Sequence, residues 1–380
     1  MNPAPDLQKP NWFLRNPKKT LVLFTGLAIL LIVFAGEKIL QFYNHRHGVF
    51  LETDPRYIRL KEYRPLTRLL LPCPQKGLFG NDQVSPQTYQ INVDSDGFIM
   101  PSRRYAQPDL SLVFLGGSTT ECMFIDEGNR FPYLVGVILE RETGKKINSY
   151  NGAMAGSNSL NAIDILVNKV IPLNPRIVVF MENINDLSTL LYEGTYWNKN
   201  SSRCPIETLN QKKWLGKILK EICIPNLSYS YRNLKDALSP GGEDEFAAAR
   251  GKKLQVDQAK LNREFAMNLQ TIISICQARG ITPVLLTQAS RITAQPDRAV
   301  KDYFDRLLEN GGISYWDFKE VYDSFNETIR RVGRQNQVLV IDLAGSVPAD
   351  KTHIYDMVHL NTTGSRYAAG LIADRLKSLL

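Results

Sequence analysis

Ser118, Asp356 and His359 are the residues whose types and spacing could do chemistry together in this chain. The serine closes the run Val113-Phe114-Leu115-Gly116-Gly117-Ser118, in which two glycines follow a short apolar stretch. A buried strand delivers a hydroxyl to the lip of a sheet in this way, because glycine allows a tight turn and leaves room beside the backbone. The acid precedes the histidine by three residues in Asp356-Met357-Val358-His359. A serine hydroxyl is a poor nucleophile at neutral pH. An imidazole that takes its proton, itself oriented by a carboxylate, makes it a competent one.

Two further segments stand between these ends: Asn151-Gly152-Ala153-Met154-Ala155-Gly156 and Asn183-Ile184-Asn185-Asp186. Taken singly, each segment has a plain structural reading. Ser118 could cap a helix, Asn185-Asp186 could be a turn, His359 a core histidine, and Asp356 the cap of the final helix. Taken in order, at successive strand ends and before the last helix, the joint pattern is far more specific than any part. Asp186 is expected to brace its loop rather than react. Glu121 and Glu182 are expected on a solvated face, Cys122 in packing, and His353 at the surface near the site.

The elements that must position these residues alternate. Largely apolar runs at Leu110–Leu115, Arg176–Met181, Thr282–Thr287 and Val338–Leu343, with a second short strand at Lys146–Asn151, predict five buried strands. Helical spacing predicts helices over Phe131–Arg141, Asn158–Val170, Leu261–Arg279, Trp316–Arg334 and Thr362–Leu379, the last capped near Asn361 or Thr362. Strands of this kind separated by helices form a mainly parallel sheet covered on both faces. Ligands of such sheets bind outside the carboxyl ends of the strands, where all four segments fall. Gln90–Phe98 alternates and then turns on Asp96-Gly97, as an edge strand leading into the domain does. Residues 188–255, with Tyr192, Tyr196, Trp197, Trp214 and a Pro-Gly-Gly turn, break the alternation and are expected to be an insertion.

With 380 residues, 43% of them hydrophobic, the chain can build one large core plus appendages. Its formal charge of +8 is modest, and no basic run is interleaved with aromatics, so nucleic acid is not an expected partner. Thr20–Gly36 carries no charge, and the apolar segment extends to Leu40. About 20 helical residues cross a hydrocarbon core roughly 30 Å thick, which predicts a membrane span over residues 20–40. Lys9, Arg15, Lys18 and Lys19 precede it, so residues 1–19 are expected in the cytoplasm and everything after the span outside it. A cleaved signal peptide ending at Ala35 is the rival, but the run is long for a signal core. Residues 41–88, rich in proline and arginine, read as a stalk or linker beside the catalytic domain, which takes residues 89–380. Five cysteines and four histidines show no metal-ligand spacing, and Cys204 with Cys223 is the expected disulfide. No metal and no cofactor are expected, and oligomeric state is left open.

From about Tyr89 to Leu380, the insertion aside, the chain resembles the SGNH or GDSL-like hydrolases. That resemblance implies a three-layer αβα sandwich with a flavodoxin-like sheet of about five strands. It makes Ser118 the nucleophile, His359 the base and Asp356 its partner. The oxyanion hole would comprise the Ser118 N–H, the Gly156 N–H and the Asn185 side chain, with Gly152 a rival to Gly156 in the same loop. Two positions depart from the family pattern. Gly117 stands where the family has aspartate, and Asn183 where its third segment opens on glycine. If that position needs a positive φ, asparagine is the next most tolerant residue.

The expected activity is that of a membrane-anchored extracytoplasmic serine esterase or acylhydrolase. Its substrate would be an acylated small molecule, glycan or lipid. Acyl transfer to an envelope polysaccharide is the alternative, with the insertion aromatics as a glycan-facing lid. A binding module that keeps the fold without chemistry is the third.

Overall fold

The computed structural model describes residues 11–46, 56–58, 60–73, 84, 88–198, 200, 203–208 and 253–380. The chain divides into two compact units, one of residues 1–55 with 208–223 and the other of residues 56–207 with 224–380. In the first, Pro17–Arg46 is one continuous helix of 30 residues. Within it Pro17–Leu40 is long and apolar enough to cross a membrane, and none of that stretch is buried against other protein.

The second unit is built on five parallel strands: β1 (Leu110–Gly116), β2 (Ile147–Asn151), β3 (Ile177–Met181), β4 (Thr282–Leu286) and β5 (Leu339–Ile341). Their order across the sheet is β2-β1-β3-β4-β5. This is the flavodoxin-like order, and its direction of winding reverses between β1 and β3. Alternation along each strand explains the three layers. Leu112 and Phe114 of β1 pack with the helices Phe131–Thr143 and Thr362–Leu376 on one face. Val113 and Leu115 pack with Ser159–Ile165, Gln258–Ala278 and Tyr315–Gln335 on the other. Side chains that point alternately up and down are mostly apolar when both faces are covered, hence the apolar runs; β2 is the exception, with Asn148, Ser149 and Asn151 buried. On the second face Phe265 stacks on Phe325 with ring centroids 4.7 Å apart, worth about 1 kcal/mol beyond area burial.

Three expectations need amendment. Thr88–Asn92 does not join the main sheet; it pairs antiparallel with Arg68–Pro72, and only Ile99 bridges to Asn151 at the edge of β2. Arg298–Gly311 is a helix that the alternation above omits, with Val300 and Phe304 one turn apart in the core. The helix Ile184–Glu193 occupies the start of the expected insertion, followed by the short strand Ile206–Thr208. Most of the rest of that insertion, with Trp214 and Cys223, lies outside the described residues.

Candidate active site

The candidate residues singled out above gather at the carboxyl ends of β1 and β3, where the winding reverses. β1 ends at Gly116, Gly117 takes the N-cap position, and Ser118 is the first residue of the short helix Ser118–Glu121. At that position a backbone N–H has no partner within its own helix. Both glycines are required by neighbours. A Cβ on Gly116 would lie 2.6 Å from the Met181 carbonyl oxygen, and one on Gly117 would run into the Asn185 amide nitrogen. Small residues here let the ends of β1 and β3 close on one another.

His359 arrives from the far end of the chain. Its Nε2 lies 2.7 Å from Ser118 Oγ and its Nδ1 lies 2.6 Å from Asp356 Oδ2. The other carboxylate oxygen of Asp356 accepts the backbone N–H groups of Val358, at 2.9 Å, and His359, at 2.8 Å. An ionised Asp356 fixes the proton on Nδ1 and leaves Nε2 to accept from the serine. The turn is closed by Tyr355 N donating to the His359 carbonyl at 2.9 Å, and Arg291 N holds the Met357 carbonyl at 2.7 Å. The Tyr355 ring stacks on the imidazole with centroids 5.6 Å apart and planes 14° from parallel. Asp356 does not cap the final helix; Asn361 does, accepting from Gly364 N.

The sequence contains a second Asp-x-x-His pair, and only the structure separates the two. Asp350 Oδ1 lies 2.9 Å from His353 Nδ1, but His353 packs edge-on against Tyr367 and not against Ser118.

Charge and burial set the protonation of the pair. Burial alone would raise the Asp356 carboxyl, yet His359 and the two N–H donors hold it below the usual carboxylate range. Burial alone would lower the imidazole, but Asp356, and beyond it Glu121, hold it above its usual value. The cause in each case is the opposite charge in contact, which favours both charged forms.

The loop after β2 supplies the next component. Gly156 is exposed, with φ at +71°, a conformation that glycine adopts without strain. Gly152 is not equivalent to it. Its N–H is spent on the Phe114 carbonyl at 2.9 Å, and its α-carbon faces Leu115 and Phe98. Asn185 lies in the first turn of Ile184–Glu193 and donates through Nδ2 to the Ser157 carbonyl at 2.7 Å. Asp186 braces this loop. Buried, it accepts from Ser159 N, Ser159 Oγ and the Tyr196 hydroxyl. Burial pushes its carboxyl up to about 6, against the pull of the Ser159 and Tyr196 donors. Asn183 has φ −162°, extended backbone open to any residue, so replacing glycine there carries no backbone cost. Its side chain donates instead to the Tyr322 carbonyl.

Two carboxylates expected in solvent are buried. Glu121 is 0% exposed and Glu182 is 1% exposed. Burial raises both carboxyls, Glu182 well above the usual range, where the nearby Asp186 adds to the rise and the Asn185 side chain opposes it. Cys122 is buried as expected, and burial pushes its thiol up to about 12. Sequence reasoning missed Gln288, which follows β4. Its amide donates to Thr119 Oγ1 at 2.9 Å while its carbonyl oxygen accepts from Ile184 N at 3.1 Å. It thereby ties the Ser118 helix to the Asn185 helix. A glutamine just past an apolar strand was the available signal. Among the described residues no group of three or more His, Cys, Asp or Glu side chains is arranged to hold a metal ion.

A hydroxyl, an imidazole and a carboxylate in hydrogen-bond series can perform acyl transfer through a covalent acyl intermediate. The profile of the GDSL-like lipase/acylhydrolase family matches residues 114–367. No curated protein sequence is similar enough to match. Among solved structures, LAE5, an alpha/beta hydrolase from the metagenome of Lake Arreo, is 15% identical, with 72% of this chain and 97% of that one covered and a TM-score of 0.42. Axe2, an acetylxylan esterase from Geobacillus stearothermophilus, is 13% identical over 70% of this chain and 94% of its own, with a TM-score of 0.41. A GDSL-like lipase from Bacteroides thetaiotaomicron is 11% identical over 71% and 89%, with a TM-score of 0.38. These likenesses are weak in sequence and in shape.

Proposed function

The chain belongs to the GDSL-like lipase/acylhydrolase family, which makes it an ester-bond hydrolase, and from that premise we propose that Ser118, His359 and Asp356 are its catalytic triad. The contact that carries this reading is the 2.7 Å approach of His359 Nε2 to Ser118 Oγ. In the reaction His359 takes the hydroxyl proton as Ser118 Oγ attacks the ester carbonyl carbon. Negative charge then develops on the carbonyl oxygen, and the N–H groups of Ser118 and Gly156 with the Asn185 amide stabilise it. Collapse breaks the ester bond, and the imidazolium returns the proton to the departing alcohol. Water, deprotonated by His359, attacks the acyl-serine and releases the acid.

The helix over residues 20–40 anchors the enzyme in a bilayer, with residues 1–19 in the cytoplasm and the hydrolase unit outside it. The excess of cations before the helix supports this orientation. An O-acylated glycan is the substrate class we favour. The exposed Trp197, at 59%, supports it by offering a ring to a sugar in the segment after the Asn185 helix. Tyr196 turns inward to Asp186 instead. Transfer of the acyl group to a sugar hydroxyl would use the same residues, the acceptor deciding the outcome.

The test is a substrate panel, from aryl acetates to acylated glycans and lipids, run on the detergent-solubilised chain beside Ser118→Ala. Hydrolysis that disappears in the variant is expected. Full activity in Ser118→Ala would refute the triad. Acyl product on an added sugar acceptor, in place of free acid, would select transfer. Protease added outside intact cells should remove the hydrolase unit; protection of that unit would refute the orientation.

A further inference from the structure

Three consecutive residues that precede the family match each attach to a different part of the site's surroundings. Lys61 Nζ donates to the Gly156 carbonyl at 2.6 Å. Glu62 accepts from Lys169 Nζ at 2.7 Å, and that ammonium also reaches the Gly97 carbonyl at 2.7 Å and lies over the Phe98 ring. The Tyr63 hydroxyl donates to Glu121 Oε1 at 2.7 Å. Leu60 packs on the main core and Tyr63 on the small cluster under the Arg68–Pro72 strand. The segment is therefore fixed at both ends of the triplet.

Two of these attachments fall on working parts. Glu121 ends the helix that begins at Ser118. Gly156 and Ser157 are successive residues of the loop beside the nucleophile. Their carbonyls are held by Lys61 and by the Asn185 amide respectively. These two carbonyls fix the Gly156–Ser157 and Ser157–Asn158 peptide planes, the first also held by Ser157 N donating to the Met154 carbonyl at 3.0 Å, so the chain just after the Gly156 N–H is anchored and that N–H has only the Gly156 φ left to turn on. Exposed glycine at positive φ would otherwise be the most mobile point of the site.

We propose that Lys61–Tyr63 form a clasp that sets the geometry of the active site. Lys61 is a positioning residue for the Gly156 loop and Tyr63 for the Ser118 helix. This rests on the triad reading above and adds to it a segment that lies 50 residues before the start of the family match at residue 114. The clasp does not touch substrate. Its effect is on how well the oxyanion donors meet the transition state, and misplacement on the scale of 1 Å costs up to about 100-fold in rate.

The experiment uses the full chain in detergent with an aryl acetate. Lys61→Met should lower kcat about 10- to 100-fold, with KM changed by less than about threefold. Lys61→Arg, which can still donate to the Gly156 carbonyl, should recover most of the loss. Tyr63→Phe, which removes only the hydroxyl, should lower kcat in the same sense. Melting temperatures are read in parallel. Loss of kcat that tracks a fall in melting temperature, without rescue by arginine, would overturn the clasp and leave a merely structural strut. Ser118-dependent turnover unaltered by Lys61→Met would overturn the clasp alone. Absence of any Ser118-dependent turnover in the unmodified chain would overturn the triad reading and the clasp with it.

Discussion

Asp356→Asn isolates the electrostatic part of the site with the smallest change of shape. The asparagine oxygen can keep the two backbone N–H groups that Asp356 Oδ1 now accepts. The change falls on the other side, where a carboxylate oxygen 2.6 Å from His359 Nδ1 becomes an N–H donor. Two donors cannot share that contact, so the imidazole proton moves to Nε2, and Nε2 no longer accepts from Ser118. The charge term can be sized. Imidazolium and carboxylate centres about 4 Å apart, at an effective dielectric of about 20, attract by about 4 kcal/mol. At 1.36 kcal/mol per decade this is about three orders of magnitude in rate, to which the wrong tautomer adds. Asp356→Asn should therefore lower kcat about 1,000- to 10,000-fold. The pH profile gives a second reading. His359 is held above its usual value, near 6.5, and must be neutral to act as base, so activity rises with pH through a midpoint above about 6.5. Removing the carboxylate removes the main cause of that elevation, and the acid limb of residual kcat/KM should move to lower pH. Asp350→Asn, at the second Asp-x-x-His pair, is the matched control and should leave kcat unchanged. The assay is aryl acetate hydrolysis from pH 5 to 10 on folded variants. A fall of less than about tenfold with an unmoved acid limb would refute the reasoning.

Asn185→Ala should lower kcat about 100- to 1,000-fold, since it removes an oxyanion donor as well as the anchor on Ser157. Unchanged steady-state kinetics would exclude Asn185 from the mechanism. Glu182→Gln concerns stability. The folded carboxyl lies above its unfolded value of about 4.3, so its contribution is fully present below that pH and is lost as pH rises toward the folded value. Glutamine does not titrate. Calorimetry should therefore show a melting-temperature advantage for the variant that is larger at pH 8 than at pH 4, and an equal difference at both would contradict it. Cys122, buried with its thiol pushed up to about 12, should resist iodoacetamide until the protein unfolds. A modified Cys122 peptide from native protein would show that the residue is accessible.

What the sequence made legible is what local pattern determines. The five strands lie within a residue or two of their expected bounds. Burial on both faces leaves four of them mostly apolar, and Ile147–Asn151, with Asn148, Ser149 and Asn151 buried, is the polar exception. Ser118, His359 and Asp356 could be singled out because each sits in a short segment of unusual composition, and the structure brings their side chains into contact. Glu121 and Glu182 were misjudged because a charged residue past a strand normally meets water, and what covers Glu121 comes from Tyr63, 58 residues earlier. Lys61 reaches Gly156 across 95 residues, and no spacing rule reports such a contact. Arg68-Leu69-Leu70-Leu71-Pro72 was hidden in a proline-rich stretch, and its pairing with Thr88–Asn92 depends on a partner beyond a run of turn-forming residues. Asn183 shows the reverse case. The condition weighed for it, a positive φ, does not arise, since φ there is −162°.

The account depends on a single hydroxyl made nucleophilic by a single imidazole. The most direct measurement is covalent labelling of the folded full chain with a fluorophosphonate, followed by intact mass and peptide mapping. One adduct is expected, on Ser118, absent in Ser118→Ala and much slower to form in His359→Ala. A folded chain that takes no adduct, or carries it on another residue, or labels at the same rate without His359, would contradict it.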